Sequence, residues 1–437
     1  MLELKSVWAN TFFDYVGECE SPDLFTYWAG LSIVAAVQGR KTWFNWGRYR
    51  IYPNMYVVLA GPAAVRKSTS ANTAVRLIKK YLKDEIKFGP ADTAGKKQGL
   101  LAQFIDAYKE PEEDELKDLD NLFGEDSNPF LKETIKKKPV SPHKDLYVVA
   151  DEISNFLGVS AYELIALLTQ LFEPQDEYHY KLAKSSVTIR KPGLNLLLCG
   201  TPTDISRSLT TESLQQGFVS RTTFVYSGQK KPKVFWAEEL DEEKEKTLGK
   251  SLSFIHYQMR GPCSITDQAL RKLKYIYEIE HAKIDDSRFV SWEHRRMNHI
   301  IKLAMNIAAG NAGIVKSKAI EITKADVEDA HILIQETEKD MSAALGELGM
   351  SKLSIAKQHM REMIENSWPV GITYTALKSN LARDMTQRDI AQTLQEFINK
   401  GICITTTMKI SGETAVVIMP KAPDSVDVKP RLVKGRA

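Results

Sequence analysis

Cysteine is scarce: four residues in 437, Cys19, Cys199, Cys263 and Cys403, with no C-x-x-C pair among them. Such spacing argues against a zinc ribbon or a disulfide framework and fits a reducing cytoplasm. Long apolar runs are missing too, and none approaches the roughly twenty residues that a membrane-crossing helix needs. The opening MLELKSVWANTFFDYVGECE carries acids where an export signal has a basic and then an apolar stretch, so neither export nor a membrane span is expected. Charge of one sign is lacking as well: 59 Lys and Arg balance 56 Asp and Glu to a formal net charge of +3. Affinity for nucleic acid therefore has to come from local clustering. What remains is ordinary globular usage, 43% hydrophobic and 26% charged, in a chain long enough for two or three domains and without an internal repeat.

The stretch YVVLAGPAAVRKSTSA, residues 56–71, nearly matches the phosphate-binding pattern G-x-x-x-x-G-K-[ST]. Its context is right. Met55 to Ala60 reads as a buried strand, Gly61-Pro62-Ala63-Ala64 as a turn, and Ser68 to Leu82 as a helix whose N-terminus favours an anion. In this reading Gly61, Pro62, Ala63, Ala64, Val65, Arg66, Lys67, Ser68 and Thr69 cradle the phosphates of ATP, with Lys67 on the β and γ phosphates and Ser68 on Mg2+. The second glycine of the pattern is Arg66. Either this position tolerates a negative φ, or the match is accidental.

A second apolar run, Leu146 to Ala150, ends in Asp151 and Glu152. The pair suits a core strand that carries Asp151 to a hydrated magnesium ion and Glu152 to the attacking water; two solvated acids closing a strand is the alternative. A third run, Leu194 to Gly200, leads into Thr201-Pro202-Thr203. Thr201, and after it Thr203, is a candidate sensor of the γ-phosphate, against a plain Gly-Thr-Pro turn. Arg221 precedes a last apolar strand and is placed to serve a neighbouring subunit as an arginine finger, or else pairs with an acid on the surface.

SPDLFTYWAGLSIVAAVQGR, YPNMYVVLAGPAAVRKST, FGPADTAGKKQGLLAQF, LYVVADE, LLLCGTPTDI and GFVSRTTFVY follow one another in an order similar to the phage and plasmid helicase-like P-loop ATPases, often encoded beside or fused to primases. The resemblance spans residues 20 to about 340. It implies a RecA-like or AAA+ core, an oligomeric and plausibly hexameric ring, translocation on DNA, and a working loop, since an arginine before the lysine is a familiar variant there. The motifs specify ATP binding and leave helicase activity open.

The rest of the chain divides by pattern. Residues 1–50 read as a helical lead-in, 51–235 as the ATPase core with an acidic insertion at about 109–145, 236–347 as a helical lid from which Arg295 or Arg296 reaches the phosphates or else caps acids on a surface, 348–420 as a winged-helix domain, and 421–437 as a basic disordered tail. Residues 177–193 alternate like a hairpin and carry Lys181, Lys184 and Arg190 beside Tyr178 and Tyr180, suited to gripping single-stranded DNA, or else an exposed hairpin made soluble by lysines. Three helices and a hairpin at 350–420, with Thr386 as an N-cap and a turn near Ser411 and Gly412, give the winged-helix pattern. The expected fold class is α/β: a P-loop NTPase core with a helical lid and a C-terminal winged helix. The expected function is an ATP-dependent DNA helicase or translocase of phage-type replication, in the cytoplasm, with ATP and Mg2+. The competing class is an ATP-switched initiator or helicase loader.

Overall fold

The structure is a computed structural model that describes residues 2–93, 96–107, 143–159, 161–173, 175–181, 186–209, 214, 217–236, 239–282, 284, 286–348, 352–410 and 413–421. The chain forms two compact units, Met1–Leu348 and Gly349–Ala437. Most of the acidic insertion, the hairpin tip at Ser411 and Gly412, and the tail beyond Lys421 lie outside the described residues.

The first unit is a mixed α/β structure around a parallel sheet. In chain order its strands are β1 (Thr42–Trp46), β2 (Tyr49–Ile51), β3 (Tyr56–Ala60), β4 (Lys144–Ala150), β5 (Glu177–Lys181), β6 (Ser186–Arg190), β7 (Pro192–Gly200), β8 (Thr222–Tyr226), β9 (Gly261–Ile265) and β10 (Glu321–Ile322). Four of them make the sheet, in the order β4-β7-β3-β8, all parallel. Every residue of β3 and β7 is buried, which is why both read as unbroken apolar runs instead of alternating ones. Lys87 to Gly89 widens the sheet beyond β4: Tyr147 N donates to Lys87 O and Gly89 N to Tyr147 O, both at 2.9 Å. Register pairs Ala60 with Gly200 and with Tyr226, and Ala150 with Leu198, so the carboxyl ends of all four strands open on one edge.

Residues 1–50 are not a purely helical lead-in. Helices Val7–Val16 and Asp23–Gln38 are followed by β1 and β2, which join β9 and β10 in a second sheet ordered β10-β9-β1-β2. The aromatic alternation TWFNW and a turn through Gly47, at φ 58°, make a hairpin in place of the expected helix. From Phe25 to Gln38 every residue of the second helix is buried, so it lies inside the core and not on it. The helices between 242 and 340 share that core. Trp28 Nε1 donates to Thr337 Oγ1 (2.9 Å), Gln38 Nε2 to Asn306 Oδ1 (2.6 Å), and Ser6 N to Asp329 Oδ2 (2.7 Å). Buried Lys302 fixes the approach to β3, its Nζ donating to Tyr52 O (2.8 Å), Asn54 O (3.1 Å) and Asn54 Oδ1 (2.6 Å). No helix among the described residues is long and apolar enough to cross a membrane.

The second unit has helices Lys352–Asn366, Tyr374–Leu381 and Gln387–Asn399, and strands β11 (Ile372–Thr373), β12 (Cys403–Ile410) and β13 (Glu413–Pro420) in the antiparallel order β11-β13-β12. Its core includes Met360, Ile364, Leu377, Ile390, Cys403 and Ile418. Thr386 caps the third helix in a reciprocal capping box with Asp389. The short strand β11 was not foreseen in the sequence.

Candidate functional site

The carboxyl edge of the parallel sheet gathers the loop, the acidic pair and the threonine turn. Gly61 follows β3, its N donating to Gly200 O (3.2 Å), while Ser227 N donates to Ala60 O (3.0 Å). A Cβ on Gly61 would lie 2.4 Å from Ser227 O and 2.9 Å from Val65 Cγ1, so only glycine fits. Pro62, Ala63 and Ala64 form an exposed rim, and Val65 is buried beneath them. Ala64 (φ 63°) and Arg66 (φ 64°) are left-handed and Val65 between them is not. Alternation of this kind makes a concavity of backbone N–H groups that takes an anion. It opens onto the first turn of helix Lys67–Tyr81, whose leading N–H groups have no intrahelical acceptor. Ser68 is half-buried in that turn and Thr69 is exposed.

Arg66 does not take the negative φ that one sequence reading required: it adopts the glycine conformation despite its side chain. The strain is held by neighbours. Arg66 Nε donates to Glu20 Oε2 (2.9 Å) and Ser21 Oγ donates to Arg66 O (3.0 Å). Hydrogen bonds from Lys230 (2.8 Å) and from Arg66 lower the Glu20 carboxyl to about 2. Ser21 also meets Ser70 Oγ at 2.7 Å, which ties the N-terminal segment to the helix after the loop. Lys67 Nζ folds back to donate to Gly61 O (2.9 Å) and Pro62 O (2.8 Å). Burial lowers its pKa against the opposing influence of Cys199 and Asp204.

Cys199, one residue from the end of β7, is the hub that sequence reading missed. Burial, together with the charge of Asp151, pushes its thiol up to about 12 against the opposing influence of Lys67 and of a hydrogen bond with Ser68. The only signal in the sequence was its place, two residues before Thr201 at the end of an apolar strand. Asp151 and Glu152 are both exposed past the end of β4, with Glu152 at the N-cap of helix Ile153–Leu157. Thr201 is the cap of helix Pro202–Ser208: its Oγ1 donates to Asp204 Oδ2 (2.6 Å) and accepts from Asp204 N (3.1 Å). Its hydroxyl hydrogen is therefore committed to the turn, and Thr203 is exposed within that helix.

Arg221 lies at the opposite edge, before the first residue of β8. Six residues separate it from Ser227, about 20 Å of strand. Its side chain is only 13% exposed; one Nη donates to Gly217 O (3.0 Å) and the other lies 3.7 Å from Glu173 Oε1. Arg295 donates to the same oxygen at 2.6 Å. Arg296 is in a buried ion pair with Glu338, its second bond 3.1 Å long. Neither lid arginine reaches the loop of its own chain.

The alternation at 177–193 is a hairpin, β5 against β6, paired from Glu177–Arg190 to Lys181–Ser186. Arg190 is 79% exposed and sits 3.7 Å from Glu177. Lys181 has its backbone in β5, and Lys184 lies outside the described residues. Arg40, also missed in the sequence, pins the hairpin's base by donating to Gln175 O and to Pro192 O (3.2 Å). Among the described residues no group of three or more His, Cys, Asp or Glu is placed to hold a metal ion. No protein-family model matches the chain and no curated protein matches it, so its chemistry is argued from this geometry alone.

Proposed function

We propose that this chain is a P-loop ATPase of the AAA+/RecA-like type that works as an ATP-dependent DNA helicase or translocase, with a winged helix as its second unit. One observation carries the reading: at the carboxyl edge of the parallel sheet, a tight turn at Gly61 and the left-handed Ala64 and Arg66 open helix Lys67–Tyr81, and Asp151 follows the end of β4 on the same edge. Because β7 lies between β3 and β4, the acid stands two strand spacings, about 10 Å, from the loop strand. That separation leaves room for a terminal phosphate and its cation in the crevice beyond the strands. The residues fit ATP with magnesium: a hydroxyl and a carboxylate face a cradle of N–H groups, and phosphate oxygens complete a coordination shell that the protein alone lacks.

The N–H groups of residues 63 to 69 bind the phosphate chain, and Lys67 exchanges two carbonyls for phosphate oxygens. Ser68 and Asp151 hold Mg2+, which when bound neutralises charge on the phosphate oxygens. Glu152 orients the attacking water and accepts its proton. Arg221, an entire strand length from its own loop, acts on the loop of the next subunit in a head-to-tail hexameric ring. The β5–β6 hairpin carries Lys181, Lys184 and Arg190 to single-stranded DNA.

A loader or initiator is the second reading, favoured by the third helix of the second unit. There Asp389 is spent on the cap and Glu396 pairs with Lys357 at 2.8 Å, which leaves a surface able to dock either protein or DNA. Steady-state ATP hydrolysis with and without single-stranded DNA decides between the readings. Motor action predicts DNA-stimulated turnover, abolished by Lys67→Ala and stripped of its stimulation by Lys184→Ala. Turnover that needs Lys67 but ignores DNA favours the loader, and indifference to Lys67→Ala overturns both.

A further inference from the structure

The chain that follows β8 is tied to the phosphate loop at both of its ends. Ser227 begins it: its N donates to Ala60 O (3.0 Å), and its carbonyl is what a Cβ on Gly61 would strike at 2.4 Å. At the far end Val234 N donates to Glu20 Oε1 (3.4 Å), while Oε2 of the same carboxylate accepts from Arg66 Nε at 2.9 Å. The stretch between is pinned to the residues that lead into helix Asp23–Gln38. Lys230 Nζ donates to Glu20 Oε2 (2.8 Å), Lys231 N donates to Glu20 O (3.0 Å), and Lys231 Nζ pairs with Asp23 at 2.9 Å. Residues 227–234 are thus held to the Gly61 end of the loop at their start and to its Arg66 end where they finish.

Phe235 and Trp236 come next, the first fully exposed and the second 81% exposed. Large aromatic rings held out in water on a fastened base mark a contact site, and what they offer a ligand is a flat π surface. The strand order decides which part of a ligand comes near them. Across the carboxyl edge the order is β4, β7, β3, β8, so Asp151 stands on one side of the loop strand and the aromatic segment on the other. A triphosphate lying in the loop with its terminal phosphate toward Asp151 carries its opposite end, the nucleoside, toward the β8 side. A purine base brings two broad uncharged faces to that place, and an aromatic ring is the side chain that covers such a face.

We propose that Phe235 and Trp236 hold the purine base of the bound nucleotide by stacking. The inference rests on the nucleotide site of the proposed function and adds the base subsite which that site lacks. Stacking reads the face of a base and not its edge, so adenine and guanine nucleotides should bind alike and the single-ring pyrimidines less tightly. Glu20 becomes a positioning residue for both halves of the ligand, because one of its oxygens fixes the loop at Arg66 and the other fixes the aromatic segment at Val234.

Calorimetric titration of the full-length chain with ATP, GTP, CTP and inorganic tripolyphosphate, each with Mg2+, tests it. Phe235→Ala combined with Trp236→Ala should weaken ATP and GTP by about tenfold or more and leave tripolyphosphate as in wild type, since that anion has no base to lose. Trp236→Phe should restore most of the ATP affinity lost in Trp236→Ala. In steady-state hydrolysis the loss should fall on KM and not on kcat. Both side chains are exposed, so the fold does not depend on them. Equal weakening of ATP and tripolyphosphate, a loss confined to kcat, or ATP bound by the double variant as by wild type overturns the base site. Lys67→Ala is titrated in parallel. If it loses ATP and tripolyphosphate while the aromatic variant keeps ATP, the base site alone falls; if it binds both as wild type does, the phosphate loop of the proposed function falls.

Discussion

Arg66 offers the sharpest test of the loop, because its backbone conformation predicts an order of stabilities opposite to that of an ordinary helix start. At φ 64° and ψ 32° a residue with a Cβ is in the left-handed region, at a cost of about 1–2 kcal/mol. Glycine escapes that cost but loses about 0.5–1 kcal/mol more backbone entropy on folding. Arg66→Gly and Arg66→Ala both give up the Glu20 ion pair, so its loss cancels between them. Glycine should therefore be the more stable variant by about 0.5–1 kcal/mol. Arg66→Val should fall below both, since a β-branched residue is least tolerated at positive φ. With an unfolding entropy of about 2 cal/mol/K per residue over a unit this large, the Gly–Ala difference is about 1 °C in thermal midpoint, within reach of scanning calorimetry. Were residue 66 part of the helix, propensity would give Ala above Val above Gly. Finding alanine at or above glycine refutes the left-handed loop, and with it the anion cradle. Fluorescent nucleotide binding by the glycine variant should match wild type.

Gly61→Ala should cost about 1–3 kcal/mol and abolish nucleotide binding, because the added methyl meets the Ser227 carbonyl at 2.4 Å; unaltered melting and binding would show that the turn has room. Arg296→Ala should destabilise by about 3–5 kcal/mol by removing the cation paired with Glu338, whose side chain is entirely buried, whereas Arg296→Met with Glu338→Leu should recover most of the loss in urea denaturation. Glu20 has its pKa depressed from 4.5 to about 2, so its ion pairs stabilise the fold above about pH 4.5 and fade as pH falls toward 2. The midpoint difference between wild type and Glu20→Gln should accordingly be largest above pH 4.5 and shrink by pH 3; parallel curves would mean that Glu20 is not held by Lys230 and Arg66.

The parallel sheet was legible because β3, β4 and β7 are apolar runs closed by chemistry-bearing residues, and burial on both faces demands such runs. The hairpin of β5 and β6 and the Thr386 cap were legible from period and spacing. β1 and β2 were not: short aromatic strands beside a long apolar helix share its hydrophobicity, and only pairing with β9, over two hundred residues later, makes them a sheet. Cys199 was hidden for a similar reason, since a cysteine in an apolar strand looks like core until the neighbouring loop and acid are seen around it. Arg66 was misread because a motif states which residue is usual, not which conformation is needed. Here Glu20, forty-six residues upstream, holds an unfavourable one in place.

That long-range tether also explains why Arg295 and Arg221 cannot be judged from sequence position. Both lie near Glu173 at the amino edge of the sheet, while the loop lies at the carboxyl edge. Parallel strands fix this separation: a residue before a strand and a residue after its neighbour stand a full strand apart, whatever their side chains. At that edge one carboxylate faces two arginines. In the proposed ATPase an isolated copy would hold the loop and Arg221 on opposite sides of the sheet, and a second copy would be needed to bring them together. On that proposal the first unit's topology, more than any single motif, makes assembly a condition of turnover. Hydrolysis should rise faster than linearly with protein concentration below the assembly threshold, and Arg221→Ala subunits mixed with Lys67→Ala subunits should regain part of the lost rate. Strictly linear turnover, with no complementation between the two variants, would place the whole active site within one chain.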